Sequence, residues 1–116
     1  MKQHDEKTLI AINKHVHNIQ NYCSSCKGIE DFVNNSMLVE ACVFNLMQIG
    51  ELAKNELSDE CKEGITTIPW KQLYGMRNRI VHGYSGVKLQ IVWDTINNDL
   101  SKLSDEIEKS IVKVNC

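Results

Sequence analysis

The stretch Met37–Leu57, MLVEACVFNLMQIGELAKNEL, decides the fold. Val39, Val43, Leu46, Gly50, Ala53 and Leu57 recur at steps of four and three, the period of one face of an α-helix. Leu38, Cys42, Ile49 and Leu52 lie beside that stripe and widen it. A helix apolar over so broad a face belongs in the middle of a bundle, with neighbours on more than one side. Gly50 in mid-helix costs about 1 kcal/mol relative to alanine, so it is expected to mark a close approach of another helix. Gln48, Glu51 and Asn55 share a different face, which reads either as a solvated edge or as part of a polar site.

On the N-terminal side, Leu9, Ile12, Val16 and Ile19 make a second stripe, predicting a helix over about Glu6–Cys23. Lys27-Gly28 breaks it, and Asn34-Asn35-Ser36 supplies capping residues for the central helix. On the C-terminal side, Ser58–Ile68 reads as a connection. Pro69 opens a third helix, where a missing N–H does no harm, and Gly83 is a natural left-handed stop for it. A last helix starts near Lys88, its stripe being Leu89, Val92, Ile96, Leu100, Leu103, Ile107, Ile111 and Val114. The sequence therefore predicts an all-α chain, an antiparallel bundle of four to five helices forming one domain over residues 1–116.

Composition agrees with a packed globule. Hydrophobic residues make up 42% and charged residues 24%, and one proline and six glycines suit long helices better than many short strands. No apolar run approaches the length of a membrane span, and Met1-Lys2-Gln3-His4-Asp5-Glu6 is too polar for a secretory signal. The expectation is a cytoplasmic protein with no membrane partner. Five cysteines, at 23, 26, 42, 61 and 116, are odd in number and scattered, which favours free thiols. Cys23-Ser24-Ser25-Cys26 has half the spacing of a zinc site but lacks a second half, so no metal and no cofactor are expected.

Net charge is −2, unevenly spread. Between Gly64 and Trp93 there is no Asp or Glu, while Lys71, Arg77, Arg79 and Lys88 give that window +4 and leave −6 on the remainder. A local positive field on an acidic body suits a phosphate-bearing partner.

Inside that window lies Arg77-Asn78-Arg79-Ile80-Val81-His82-Gly83-Tyr84. On an ideal helix Arg77 and His82 point about 140° apart. A helix that ends at His82, next to Gly83, lets the imidazole turn back toward the arginine. A permanent cation, a group titrating near neutrality and a phenol are then gathered on one corner. That set is sufficient for RNA cleavage without a metal. The neighbouring 2′-hydroxyl attacks phosphorus, a histidine moves the proton, and an arginine stabilises charge building on the phosphorane oxygens. One histidine does not serve easily as both acid and base. His4, His15 and His17 lie in or before the first helix without an arginine partner. Two copies of the corner facing each other across a two-fold axis would supply both groups.

The segment resembles the Arg-x4-His-x-Tyr motif of the HepT family within the HEPN ribonuclease superfamily. The resemblance extends through Ile68-Pro69-Trp70-Lys71, Gly75-Met76, Ile91-Val92-Trp93 and Asn98-Asp99-Leu100. Asn45-Leu46 and Ile49-Gly50-Glu51-Leu52-Ala53-Lys54 look like the family's second signature. Phe44 stands where many relatives are expected to carry tyrosine. The resemblance implies an α-helical homodimer with a composite, metal-independent endoribonuclease cleft acting on RNA. It implies Arg77 and His82 as the catalytic pair and Asn78 as their polar support. Glu51 lies outside the motif and is placed near the site only as an expectation. The resemblance also implies a toxin–antitoxin pair, whose partner is a minimal nucleotidyltransferase (MntA) that silences the toxin by adding AMP to Tyr84. A second reading is a non-catalytic helical subunit that docks such a nucleotidyltransferase, and a third is a plain structural dimer.

Overall fold

In the computed structural model, residues 2–81 and 88–115 are described, the side chains of Val81 and of 112–115 excepted. Seven helices follow one another there: α1 Gln3–Tyr22, α2 Ile29–Val33, α3 Ser36–Asn55, α4 Asp59–Gly64, α5 Trp70–Val81, α6 Leu89–Asn98 and α7 Leu100–Asn115. No strand occurs among the described residues. The chain is all-α. α3 packs on α1 along one side and on α5 along the other, and α7 closes against α1.

Each apolar stripe faces inward. Leu9, Ile12, Val16 and Ile19 of α1 have no solvent exposure. Val39, Val43, Leu46, Ile49 and Ala53 of α3 meet them, and Val92, Ile96, Leu100, Leu103 and Ile107 complete the core. Burying side chains of this size stabilises by about 1.5–3 kcal/mol each. α3 is long and apolar enough by length and composition to cross a membrane, with a mean hydropathy of 1.2. This qualifies the expectation that nothing approaches a span. Glu40, Asn45, Gln48 and Glu51 interrupt the apolar run, and α3 is packed between neighbours as a core helix.

Three details differ from expectation. The short helix α2 was not foreseen; its Phe32 is fully buried and packs on Trp93 with ring centroids 5.4 Å apart. The connection after α3 contains α4, capped by Ser58, whose side chain accepts from the Cys61 N–H at 3.1 Å. The last helix is two, because Asp99 interrupts it for one residue. The ladder bonds nevertheless continue on both sides, from Asp99 N–H to Thr95 O and from Leu103 N–H to Asp99 O, each 3.0 Å. Asn35 caps α3 as its position predicts, accepting from the Leu38 N–H at 3.1 Å. α5 begins at Trp70, one residue beyond Pro69.

The start of α5 is held in place. Ile68 is buried, and the Trp70 indole N–H donates to both Lys62 O at 3.0 Å and Ile65 O at 3.1 Å. The end of α4 and the head of α5 are thereby tied together, which sets the line along which α5 runs past α3.

Candidate active site

α5 crosses α3 at Gly50. A Cβ at that position would run into the Arg77 side chain, with Leu73 O only 3.0 Å away and Arg77 Cγ at 3.1 Å. The mid-helix glycine is therefore the condition for the close approach expected of it. It brings the backbone of α5 down onto α3 and lays the Arg77 side chain across the next turn.

There the arginine meets Glu51. Arg77 donates from Nε to Glu51 Oε1 and from Nη1 to Asn78 Oδ1 at 2.9 Å, and its Nη2 stands against Glu51 Oε1 as an ion pair. Glu51 Oε2 in turn accepts from Asn55 Nδ2 at 2.7 Å. Of the two readings left open for the Glu51 face, the contacts support a polar cluster running Asn55–Glu51–Arg77–Asn78. The side chains of Arg77 and Glu51 are 23% and 32% exposed, so the pair is reachable from solvent yet partly shielded from it. A guanidinium has five N–H groups. Among the described residues two are donated in hydrogen bonds, one from Nε and one from Nη1.

The acid-free window is acid-free only along the chain. In space Glu51 reaches Arg77 from α3. The groove of about 400 Å³ between α5 and α6 sets Asp99 among Lys71 and Arg79. The local field is thus less positive than the sequence count suggests. A larger hollow, about 600 Å³, lies away from the motif and is lined by both signs of charge, including Asp5, Glu106, Lys2 and Lys109.

His82, Gly83 and Tyr84 lie outside the described residues. So the approach of His82 to Arg77, the Gly83 stop and the setting of Tyr84 stay as expectations. The other three histidines are bound elsewhere. His4 Nε2 lies 3.1 Å from Glu56 Oε2, and His17 Nε2 lies 3.3 Å from Ser104 Oγ. His15 Nδ1 donates to Asn45 Oδ1 at 2.8 Å, since that oxygen also accepts from Asn18 Nδ2 and the Asn45 amide nitrogen donates to Ala41 O at 2.8 Å. Asn45 is buried, and this network ties α1 to α3. The signal for it in the sequence was a lone amide on the apolar face of α3. Among the described residues no group of three His, Cys, Asp or Glu side chains is arranged to hold a metal ion.

With this geometry in hand, the chain can be set beside known proteins. Residues 12–110 match the family model described as ribonuclease HepT-like. A protein of Caldanaerobacter subterraneus named as an RNase is 39% identical over 89 residues, covering 75% of this chain and 79% of that protein. One of Methanocaldococcus jannaschii, also named as an RNase, is 37% identical over 82 residues, covering 71% and 67%. One of Thermococcus cleftensis, named as a ribonuclease HepT, is 32% identical over 80 residues, covering 69% and 72%. No solved structure matches the chain.

Proposed function

This chain belongs to the HepT-like ribonuclease family and is an RNase of the HEPN type, and we propose that it is the metal-independent endoribonuclease toxin of a toxin–antitoxin pair, with Arg77 and His82 as its catalytic groups. The observation that carries the assignment of Arg77 is its guanidinium, gripped by Glu51 and Asn78 yet reachable from solvent. A phosphodiester carries one negative charge and the phosphorane formed from it carries two. An arginine half-neutralised by Glu51 holds the first weakly and the second more strongly. That difference lowers the barrier instead of merely binding substrate. Asn78 fixes one edge of the guanidinium and Glu51 another, so both are positioning residues. His82 takes the proton of the attacking 2′-hydroxyl, or returns one to the leaving oxygen.

A homodimer supports this chemistry, because a second copy supplies the second histidine. Met37 and Phe44 are 81% and 54% exposed, and with Glu51 they stand at seven-residue spacing on one side of α3. Exposed apolar side chains in line with the polar cluster favour an interface that sets two copies of the cluster face to face. Tyr84 is the point of control: a cognate minimal nucleotidyltransferase adds AMP to its phenol, and the new phosphate competes for the N–H groups of Arg77.

Purified protein incubated with RNA in EDTA tests the reading. Cleavage that persists and leaves 2′,3′-cyclic phosphate ends is expected. Cleavage that needs magnesium, or leaves other ends, contradicts it. For Tyr84, the Tyr84→Phe variant is expected to stay toxic beside the nucleotidyltransferase and to show no adduct by intact mass. Silencing of that variant contradicts the modification. The reading as a non-catalytic docking subunit predicts no cleavage in any of these conditions.

A further inference from the structure

Away from the polar cluster, the end of α1 and the middle of α3 bring two thiols together. Cys23 caps the C-terminus of α1 and is partly exposed, whereas Cys42 is fully buried on α3. Their sulfur atoms lie 3.6 Å apart, in contact, with 18 residues of chain between them that include α2. Cys26 follows one turn later, its N–H donating to Cys23 O at 3.0 Å.

From this arrangement we propose that Cys23 and Cys42 form a peroxide-reactive modification site, Cys23 being the thiol that is attacked first and Cys42 the buried thiol that resolves it into a disulfide. The two sulfurs differ as the two roles require. The hydrogen bond between the Cys42 and Cys23 sulfurs, with a smaller one from Cys26, favours the Cys23 thiolate and pulls its pKa below the ordinary thiol value against the effect of burial. The same bond, together with burial, pushes Cys42 far up, so Cys42 keeps its proton. Thiolate character and access select the site of oxidation.

The chemistry balances with a hydroperoxide as the oxidant. The Cys23 sulfur attacks the peroxide O–O bond and becomes a sulfenic acid, and the second oxygen leaves as water once protonated. The Cys42 sulfur then attacks the Cys23 sulfur and displaces the hydroxyl, which takes the Cys42 proton and leaves as a second water. Both thiols are oxidised by two electrons in all, and the peroxide is reduced. To bond, the sulfurs must close from 3.6 Å to about 2.05 Å. The product fastens the last turn of α1 to α3, one turn from the His15–Asn45 tie.

The test treats the whole chain with hydrogen peroxide, blocks remaining thiols by alkylation and maps the peptides. A Cys23–Cys42 link is expected, with an intact mass lower by two hydrogens. Tm should rise by roughly 5–10 °C and fall back on adding dithiothreitol. Cys26→Ser still forms the Cys23–Cys42 link. Cys42→Ala stops the reaction at a Cys23 sulfenic acid that dimedone traps, and wild-type mapping stands by itself if that variant does not fold. A Cys23–Cys26 link as the main product overturns the proposal. So does over-oxidised Cys23 with Cys42 still alkylated, or no reaction at Cys23.

Discussion

The two sides of α3 use polar groups in opposite ways. Toward α1, Asn45 is buried and spends its hydrogen bonds inward, on His15, Asn18 and Ala41 O. Three of its four hydrogen-bonding positions are engaged there, and the network's work is to fix α1 against α3. Toward α5, the guanidinium of Arg77 is held by Glu51 and Asn78 and stays partly exposed. A hydrogen-bonded amide in the core specifies the fold, whereas a held, partly exposed cation at a helix crossing is reachable by an anion. The proposed function therefore expects loss of Asn45 to lower stability and loss of Arg77 to lower activity.

The variants that break this comparison fall in order of expected effect. On the proposed role of His82 in proton transfer, His82→Ala is expected to lower the RNA cleavage rate by about 10²–10⁴, with helicity by circular dichroism unchanged. Gly50→Ala forces a methyl group into the α3–α5 crossing. It should cost about 1–3 kcal/mol in denaturant unfolding and reduce cleavage as well, because it displaces Arg77. Asn45→Ala leaves the His15 donor unpaired and should cost about 1–3 kcal/mol while the folded fraction cleaves normally. If Asn45→Ala instead lowers the rate of fully folded protein, the division between the two sides of α3 fails.

The smallest effect sharpens a third region, where α1 meets the head of α4. Asp5 is buried and accepts from the Ser58 N–H at 2.8 Å and the Ser58 hydroxyl at 2.7 Å. Burial pushes its carboxyl up, but the Ser58 bonds, with Lys2 and His4 nearby, outweigh that and leave it below the usual value. A lowered carboxyl pKa contributes stability that is fully present above the unfolded value and is lost as pH falls through the folded one. Asp5→Asn should therefore be less stable than wild type at neutral pH, by urea melts. The gap should narrow as pH drops below the ordinary aspartate range. A constant gap across that range would assign the effect to packing.

Much of this was legible in the sequence because periodicity reports burial. Val114 apart, whose side chain lies outside those described, the stripes of α1, α3 and the last two helices point to residues that are buried or partly buried, and Gly50 announced the crossing by being a poor helix former in a good helix. The break at Asp99 was hidden because Ile96, Leu100 and Leu103 keep their spacing straight through it. α2 and α4 have five and six residues, too short for a period to show. The pairing of Glu51 with Arg77 joins residues 26 apart in the chain, so only the helix crossing reveals it. The same is true of Cys23 and Cys42, which read as scattered thiols.

Arg77→Ala tests the central claim most directly, with the RNA cleavage rate and the thermal midpoint measured on the same preparation in EDTA. The residue sits on the partly exposed side of α3, and its removal leaves Glu51 still bonded to Asn55 and open to water. The expected result is a rate lower by at least about 10²-fold with a midpoint shifted by no more than a few degrees. A variant that cleaves at the wild-type rate, or loses activity only in proportion to its unfolded fraction, would contradict the account.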